Sequence, residues 1–364
     1  MGGLLDCLVK PGNDKVIVDE HATKLVPIDF AELDGWSEDD HVAAFRTFLK
    51  SCRVAPPVDA AQAAARALGE AVDAPTARAF FENYFVPHTV EADELGLVTG
   101  YYEPEVQGAY RRDERFTVPV YGRPGDLITL GAESERARYN NRISGMRETP
   151  GGLVPYYTRE EIDAGALAGW GLELLYLDDA IELFYMQVQG SGLVHLDGGT
   201  SVRLTYAGKN GHPYTSIGKC LVERGEMSLE EIDMDKVKDW LRADPARGPA
   251  LMAENESYIF FRKLDAEEGR DGPLGNEGVV LTPGRSLAVD TAHHALGTPV
   301  FVAVPGLEAP EGSPFRRLMI GQDVGSAIGG IQRGDIFWGT GDAAGAIAGR
   351  TRDQARFHVL LPNR

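Results

Sequence analysis

The chain has few cysteines and no long apolar run. Its 364 residues include only Cys7, Cys52 and Cys220, and this number is too small for a disulfide scaffold. Their spacing does not match a zinc site either. No segment reaches the roughly 18 consecutive apolar residues of a membrane-spanning helix. These absences exclude a small disulfide-stabilised fold and a helical integral membrane protein.

Basic residues are also scarce relative to acidic ones. Lys and Arg number 36 against 55 Asp and Glu, which gives a formal net charge of −19. A nucleic-acid partner requires a clustered basic surface that neutralises phosphates, and the sequence contains no dense Lys/Arg run. We therefore expect no nucleic acid among the partners.

Glycine, by contrast, is abundant. The 43 glycines, with 43% hydrophobic and 25% charged residues, are typical of a globular chain rich in turns and strands. A chain of this length exceeds what one core usually supports, so two packed units are expected.

The first 90 or so residues favour helices. Ser37 opens a predicted helix whose apolar residues fall on one face at helical spacing: Val42, Phe45, Phe48, Leu49 and Cys52. Further helices are predicted over 59–71 and 75–84.

From Leu97 onward the pattern changes to short β-prone runs separated by Gly, Pro and Asp. We predict strands in LVTGYYEPEV, VPVYGRP, AIELFYMQVQGSGLVHLDGG, TSVRLTYAG, SYIFFRKL, GVVLTPGRSLAVD, TPVFVAV, RRLMI, GDIFWGTG and ARFHVLLP. Asp197-Gly198-Gly199 predicts a hairpin turn. Two helices, 158–164 and 228–244, are predicted from capping boxes that pair Thr158 with Glu161 and Ser228 with Glu231. The fold class is therefore α+β, mainly β, with small barrels favoured over a wound parallel sheet.

Three aspartates interrupt or end apolar strands near the C-terminus: Asp290, Asp323 and Asp335. A carboxyl beside apolar residues is partly desolvated, which raises its pKa and suits it to general acid catalysis. For any one aspartate alone, a turn cap that accepts backbone N–H bonds is the more frequent explanation. Asp323 is the strongest candidate, because glycines at 321, 325, 329 and 330 leave room for another molecule to approach.

A second group of motifs combines aromatic rings, amides and glycines. GYYEP at 100–104, QVQGSG at 187–192 and AGKNGHPY at 207–214 carry the side chains that a sugar-binding groove requires. Each such residue alone is more often structural, because aromatic residues with a polar tip are common in protein cores. Other chemistries have weak support: His293-His294 lacks further metal ligands, and neither a dinucleotide fingerprint nor a G-x-S-x-G motif occurs. We expect no metal and no cofactor.

Taken together, six motifs resemble the membrane-bound lytic murein transglycosylase A family. They are TGYYEP, FYMQVQGSG, YAGKNGHPYTSIGK, LTPGRSLAVD, GQDVGSAIGG and GDIFWGTG, in this order from about Leu97 to the C-terminus. The terminal part resembles the module named for its three aspartates (3D), here Asp290, Asp323 and Asp335. Ser326 stands where the family motif usually has a second glycine, and Gly329 where it often has lysine.

The resemblance implies a fold and a domain organisation. It implies a double-psi β-barrel domain with N-terminal helices, built from both ends of the chain, and a second β-barrel inserted between them. The corresponding boundaries are 1–104, 105–255 and 256–364. A groove between the barrels would take a glycan strand.

The resemblance also implies an activity. The expected reaction is cleavage of the β-1,4 bond between N-acetylmuramic acid and N-acetylglucosamine in peptidoglycan, with a 1,6-anhydro product. Asp323 would be the sole acid and base, and Asp335 and Asp290 supporting carboxylates. The predicted substrate-binding residues are Thr99, Tyr101, Tyr102, Gln187, Gln189, Lys209, Asn210 and Tyr214.

The substrate also predicts where the protein works and with what. We expect a periplasmic protein, as a candidate outer-membrane lipoprotein, although MGGLLDCLVK lacks the regions of a signal peptide and Cys7 lies in only a weak lipoprotein context. We expect a monomer that binds peptidoglycan strands, with cell-wall assembly or division proteins as candidate partners.

Two alternatives remain open from the sequence. A glycoside hydrolase would use Asp323 together with Asp290 or Asp335, because ordinary glycosidases need two carboxyls. A non-catalytic module would bind glycan without cleaving it, since fold analogy alone does not establish activity.

Overall fold

A computed structural model describes residues 24–363 apart from 55, 57, 93, 132, 140, 141, 311 and 326. Cys7 and Ser326 therefore lie outside the described residues. The α-helices are α1 His41–Val54, α2 Ala60–Leu68, α3 Ala74–Tyr84, α4 Glu133–Arg136, α5 Arg159–Asp163, α6 Ala180–Gln189, α7 Ile217–Glu223, α8 Met234–Ala243, α9 Arg247–Ala253 and α10 Asp342–Ala348.

The strands fall mainly in the middle and at the C-terminal end of the chain. They are β1 Lys24–Pro27, β2 Phe85–Glu91, β3 Gly96–Glu103, β4 Glu105–Ala109, β5 Val118–Tyr121, β6 Ile128–Thr129, β7 Gly145–Thr149, β8 Gly152–Pro155, β9 Glu173–Leu177, β10 Ser191–Leu196, β11 Ser201–Lys209, β12 Ile259–Lys263, β13 Ser286–Val289, β14 Pro299–Glu308, β15 Pro314–Asp323, β16 Arg333–Thr340 and β17 Arg352–Pro362. The α+β, mainly β class is confirmed.

The larger sheet combines strands from both ends of the described chain. Its order is β1-β2-β17-β14-β15-β13-β16-β3, and an additional pairing of β3 with β17 closes six of these strands into a ring. Apolar side chains such as Leu287, Val300, Met319, Ile336 and Phe357 form a buried core with this sheet. Closure satisfies the backbone of these strands and leaves them no free edge.

A second sheet comes from the middle of the chain. Its order is β12-β11-β10-β4-β9-β5, and a bridge between Gly122 and Phe261 joins its two ends. The predicted hairpin at 197–199 connects β10 to β11, which pair antiparallel. Strands β6, β7 and β8 form a separate small sheet. Strand β12 pairs in the second sheet although its residues follow 255; the predicted domain boundaries stay predictions.

The N-terminal helices pack on the outside of the larger sheet. Phe45, Phe48 and Leu49 of α1 share a buried core with Phe301 of β14 and Leu318 of β15. The helix spans His41–Val54, and Ser37 lies in a short 3₁₀ turn before it, so the predicted start at Ser37 is four residues too early. Within the described residues no helix is long and apolar enough to cross a membrane.

The predicted strand in AIELFYMQVQ is wrong, because this segment forms helix α6. The Asp179 carboxylate caps its start by accepting from the Ile181 N–H at 2.7 Å, and Gly190 ends it with a φ of +84°. The apolar run is buried nearly all round, so its composition resembles a buried strand while its caps specify a helix.

One of the two predicted capping boxes is confirmed. Thr158 and Glu161 form a reciprocal capping box at the start of α5. Ser228 donates to the Glu231 carboxylate at 3.0 Å, but helix α8 begins only at Met234, where Asp233 accepts from the Lys236 N–H. The predicted start of that helix is therefore wrong, because the stronger Asp cap lies five residues further along.

Candidate functional site

Asp323 is the last residue of β15, and its neighbour Gln322 fixes that strand end. Gln322 is fully buried; its Nε2 donates to the Thr47 carbonyl oxygen and to Ser51 Oγ of α1, and its Oε1 accepts from Ser286 Oγ at 2.6 Å. Side chains alternate along a strand, so Asp323 points away from α1. The helix thus anchors the strand end that carries Asp323.

The Asp323 carboxyl is held by three donors. Oδ1 accepts from the backbone N–H of Asn276 at 2.8 Å and of Val324 at 2.9 Å, and Oδ2 accepts from the Tyr101 hydroxyl at 2.9 Å. Burial raises the pKa of Asp323 to about 6; the three hydrogen bonds oppose this rise and the nearby Asp335 adds to it. A carboxyl with such a pKa is able to hold a proton near neutral pH and to release it there.

The desolvation has an identifiable source. Tyr101 packs with Leu281, Ala288, Ile328 and Phe337 in a small apolar cluster beside the carboxyl. The Tyr101 and Phe337 rings lie 5.3 Å apart. Burial raises the pKa of Tyr101 well above its ordinary value, so its hydroxyl stays a donor.

Asp335 lies on β16, and both Asp323 and Asp335 are register partners of Ala288 on β13 between them. The buried Asp335 carboxylate accepts from Thr99 Oγ1 at 2.6 Å, and Arg333 Nη2 donates to the same hydroxyl oxygen at 2.8 Å. Strand β3 therefore supplies one hydroxyl to each carboxyl, from Thr99 and from Tyr101 two residues later.

Asp290 follows β13 and caps a turn. Its oxygens accept from the backbone N–H groups of Ala292 at 2.9 Å and Gly330 at 2.7 Å. Burial acts to raise the pKa of Asp290, but these bonds and the nearby His293 and His294 outweigh it and leave the pKa below its ordinary value. Asp290 is thus suited to remain ionised.

A cavity of about 660 Å³ collects most of the predicted site residues. Seven of them line it: Tyr101, Gln187, Gln189, Lys209, Tyr214, Asp323 and Asp335. Four do not: Thr99, Tyr102, Asn210 and Asp290. The walls come from both large sheets, since Thr205 and Ile259 of the second sheet line it opposite residues of the larger one.

Three residues outside the lining use their polar groups within the protein. Asn210 is fully buried; its amide donates to the carbonyl oxygens of Tyr157 and Glu256 and accepts from the Tyr258 N–H. The Tyr102 hydroxyl faces the Met234 sulfur at 3.7 Å. The Thr99 hydroxyl donates a hydrogen bond to the Asp335 carboxylate. These three residues therefore shape the site without a contact to the cavity.

The two glutamines that line the cavity differ in how many of their amide atoms are hydrogen-bonded within the protein. Gln187 is buried; its Oε1 accepts from Arg159 Nη1 at 2.7 Å and its Nε2 donates to the Ile259 carbonyl oxygen at 3.0 Å. Gln189 is partly exposed, and its Oε1 accepts from the Tyr102 N–H at 3.1 Å. The QVQ segment at 187–189 thus forms part of one wall of the cavity, with Gln187 held by the protein on both polar atoms.

Sequence reasoning missed two contributors. Asn276, in the turn 275–278, supplies a backbone N–H to Asp323; backbone donors leave no residue-type signal. The only available hint was PLGNEG, a turn sequence beside a strand. Arg159 was missed because it lies inside a short helix far from the other motifs in sequence.

Family profiles and relatives match most of the chain. The MltA specific insert domain matches residues 97–262 and the 3D domain residues 285–361. The membrane-bound lytic murein transglycosylase A of Vibrio cholerae is 36% identical over 284 residues, covering 74% of this chain and 69% of that protein. The Escherichia coli K12 protein of the same name is 34% identical over 277 residues, covering 74% and 67%.

Solved structures give the same result. A membrane-bound lytic murein transglycosylase from Agrobacterium tumefaciens superposes with a TM-score of 0.83 at 34% identity, covering 93% of this chain and 98% of that one. E. coli MltA with bound chitohexaose has a TM-score of 0.64 at 29% identity, covering 95% and 94%. The chain therefore belongs to the membrane-bound lytic murein transglycosylase A family, with a C-terminal 3D domain.

Proposed function

We propose that the protein is a peptidoglycan lytic transglycosylase that uses Asp323 as its single acid and base. It cleaves the β-1,4 bond between N-acetylmuramic acid and N-acetylglucosamine. The observation that carries the proposal is a cavity-lining carboxyl whose pKa is raised to about 6 in a member of this family.

The reaction needs one proton carrier in two steps. Protonated Asp323 donates its proton to the glycosidic oxygen while the bond from that oxygen to C1 of the muramic acid breaks. The C6 hydroxyl of the same sugar then bonds to C1, and the Asp323 carboxylate takes the hydroxyl proton. A 1,6-anhydro end forms, no water is consumed, and Asp323 is protonated again.

The surroundings of Asp323 support this dual role. Its backbone donors fix the carboxyl in place, and the Tyr101 hydroxyl stabilises the ionised form that exists between the two steps. A hydrolase would require a second carboxylate to activate water or attack C1. Among the described residues Asp335 is the other carboxylate at the cavity, and it accepts a hydrogen bond from Thr99. This arrangement favours a supporting role for Asp335.

Three wider proposals follow from the family. The ring of six strands in the larger sheet has the strand number that a double-psi β-barrel requires. A glycan strand is proposed to lie in the cavity, as chitohexaose is bound to the E. coli relative. Peptidoglycan lies outside the cytoplasmic membrane, so we propose a cell-envelope location, in agreement with the membrane-bound relatives.

Mass spectrometry of the soluble products from purified peptidoglycan tests the function. Wild type should release muropeptides one water lighter than hydrolysis products, and Asp323→Asn should release them at least about 10²-fold more slowly. Products of full hydrolytic mass would replace the proposal with a two-carboxylate hydrolase. Release by neither protein, with binding retained by both, would favour a glycan-binding module.

A further inference from the structure

Among the described residues three cations line the cavity, and two of them have hydrogen-bond or ion-pair partners within the protein. Arg159 donates to Gln187 Oε1 and to the carbonyl oxygens of Asn255 and Ser257. Arg262 pairs with Glu268 at 3.3 Å. The third cation, Lys209, differs from both.

Lys209 ends β11 and is partly buried. Its ammonium has neither a hydrogen bond nor an ion pair with any residue in the described part of the chain. Burial lowers the pKa of Lys209, and the positive charge of Arg136 lowers it further. The effect of the Arg136 charge on this lysine is thus repulsive.

Arg136 is itself incompletely satisfied. Its Nε is buried and has no hydrogen-bond partner among the described residues. Lys209 is thus a partly buried cation with no ion-pair partner among the described residues, which is unusual because burying an uncompensated charge is costly. A cation without an acidic partner is more unusual still in a chain whose net charge is −19, because acidic residues are plentiful. An anion carried by the ligand would compensate the positive charge of Lys209.

We propose that Lys209 binds a carboxylate carried by the muramic acid residues of the glycan strand. This inference rests on the proposed function, because it assumes that such a strand occupies the cavity. The carboxylate has two sources: the lactyl group of a peptide-free muramic acid, and the stem peptide where one is attached. Either would sit beside Lys209 and leave the glycosidic bond to Asp323 on the larger sheet.

Binding measurements test this assignment without requiring turnover. In an Asp323→Asn background, affinities are measured for peptide-free and peptide-bearing strands, and for the same strands with their carboxylates converted to neutral amides. We expect the parent to prefer a native strand over its amidated form about tenfold, the size of one charge-assisted hydrogen bond. Adding Lys209→Gln should remove that preference and change affinity for amidated strands less than about twofold.

The pattern of loss identifies the carboxylate. A loss confined to peptide-free strands assigns the lactyl group, and a loss confined to peptide-bearing strands assigns the stem peptide. Lys209→Arg, which keeps the charge, should retain most of the preference. Lys263→Gln is the matched control, because Lys263 lies on neighbouring β12 over the Tyr110 ring and does not line the cavity.

Two results would overturn the inference. One is a preference for native strands that survives Lys209→Gln. The other is an equal loss of affinity for native and amidated strands together with a lower melting temperature, which would make Lys209 a structural residue. Failure of the proposed function is separate: wild type would then release no anhydro products, while the carboxylate preference would persist.

Discussion

Two neighbouring parallel strands, β13 and β15, are each followed or ended by an aspartate, yet the two carboxyls differ in their chemistry. Asp290 and Asp323 both accept two backbone N–H bonds. The pKa of Asp290 is lowered, whereas that of Asp323 is raised to about 6.

The difference comes from what surrounds each carboxyl beyond its donors. Asp290 has His293 and His294 beside it, and its desolvation is outweighed. Asp323 lies against an apolar cluster and near a second carboxyl, Asp335. Counting hydrogen bonds would therefore have assigned the same role to both; burial and neighbouring charge separate the proton donor from the turn cap.

Activity should separate the two aspartates most strongly. Asp323→Asn removes the only proton carrier that we propose, so kcat for release of soluble muropeptides should fall about 10²–10⁴-fold. Asp290→Asn should change kcat less than about threefold, since its carboxyl contacts backbone away from the cavity. Comparable losses of kcat in both variants, with both proteins folded by circular dichroism, would contradict the distinct roles of Asp323 and Asp290.

Tyr101→Phe should have an intermediate effect. The hydroxyl stabilises ionised Asp323, so its loss should lower kcat about tenfold and raise the pKa of Asp323 further. The fall of kcat/KM with rising pH should then occur at a higher pH than in wild type. A loss of activity with an unmoved pH profile would mean that Tyr101 acts only through packing.

Stability should respond to the two aspartates with opposite signs, and the change at Asp323 should be about 2–3 kcal/mol. The folded-state pKa of Asp323 is raised, so ionisation at pH 7 destabilises the protein and Asp323→Asn should be more stable there. The pKa of Asp290 is lowered, so its charge stabilises the folded protein at pH 7 and Asp290→Asn should be less stable.

The pH dependence provides the control for these signs. The stability advantage of Asp323→Asn over wild type should shrink as the pH falls through about 6. It should vanish below about pH 4, where Asp323 is protonated in both the folded and the unfolded protein. The deficit of Asp290→Asn should vanish as the pH falls through the lowered pKa of Asp290. Urea unfolding at several pH values measures both; equal signs at pH 7 would contradict the assignment.

The local signals that the sequence carried explain which elements were predictable. The hairpin at 197–199 and the capping box of Thr158 were predictable because a few adjacent residues specify them. Helix α6 was not, because an apolar run buried on nearly all sides has no visible period. Asp179 and Gly190 lie at its ends, but Asp and Gly are equally common in the turns that flank strands.

The candidate site was predictable in its residue types and less so in its contacts. Asp323 was identified from the glycines around it and from the family motif. The separation of Asn210 from the cavity was not, because an Asn in a glycine-rich motif resembles a ligand-binding residue until its partners are known. The Asn276 N–H on Asp323 depends on a loop folding back from 47 residues away in sequence.

The most direct test of the central claim is the pKa of Asp323, measured by NMR titration of ¹³C-labelled aspartate carboxyls in the wild type, with Asp323→Asn to assign the resonance. A midpoint of about 6, absent from the variant, is the predicted result. A midpoint near the ordinary value of about 3.9 would mean that Asp323 is fully ionised at neutral pH and is not the proton donor.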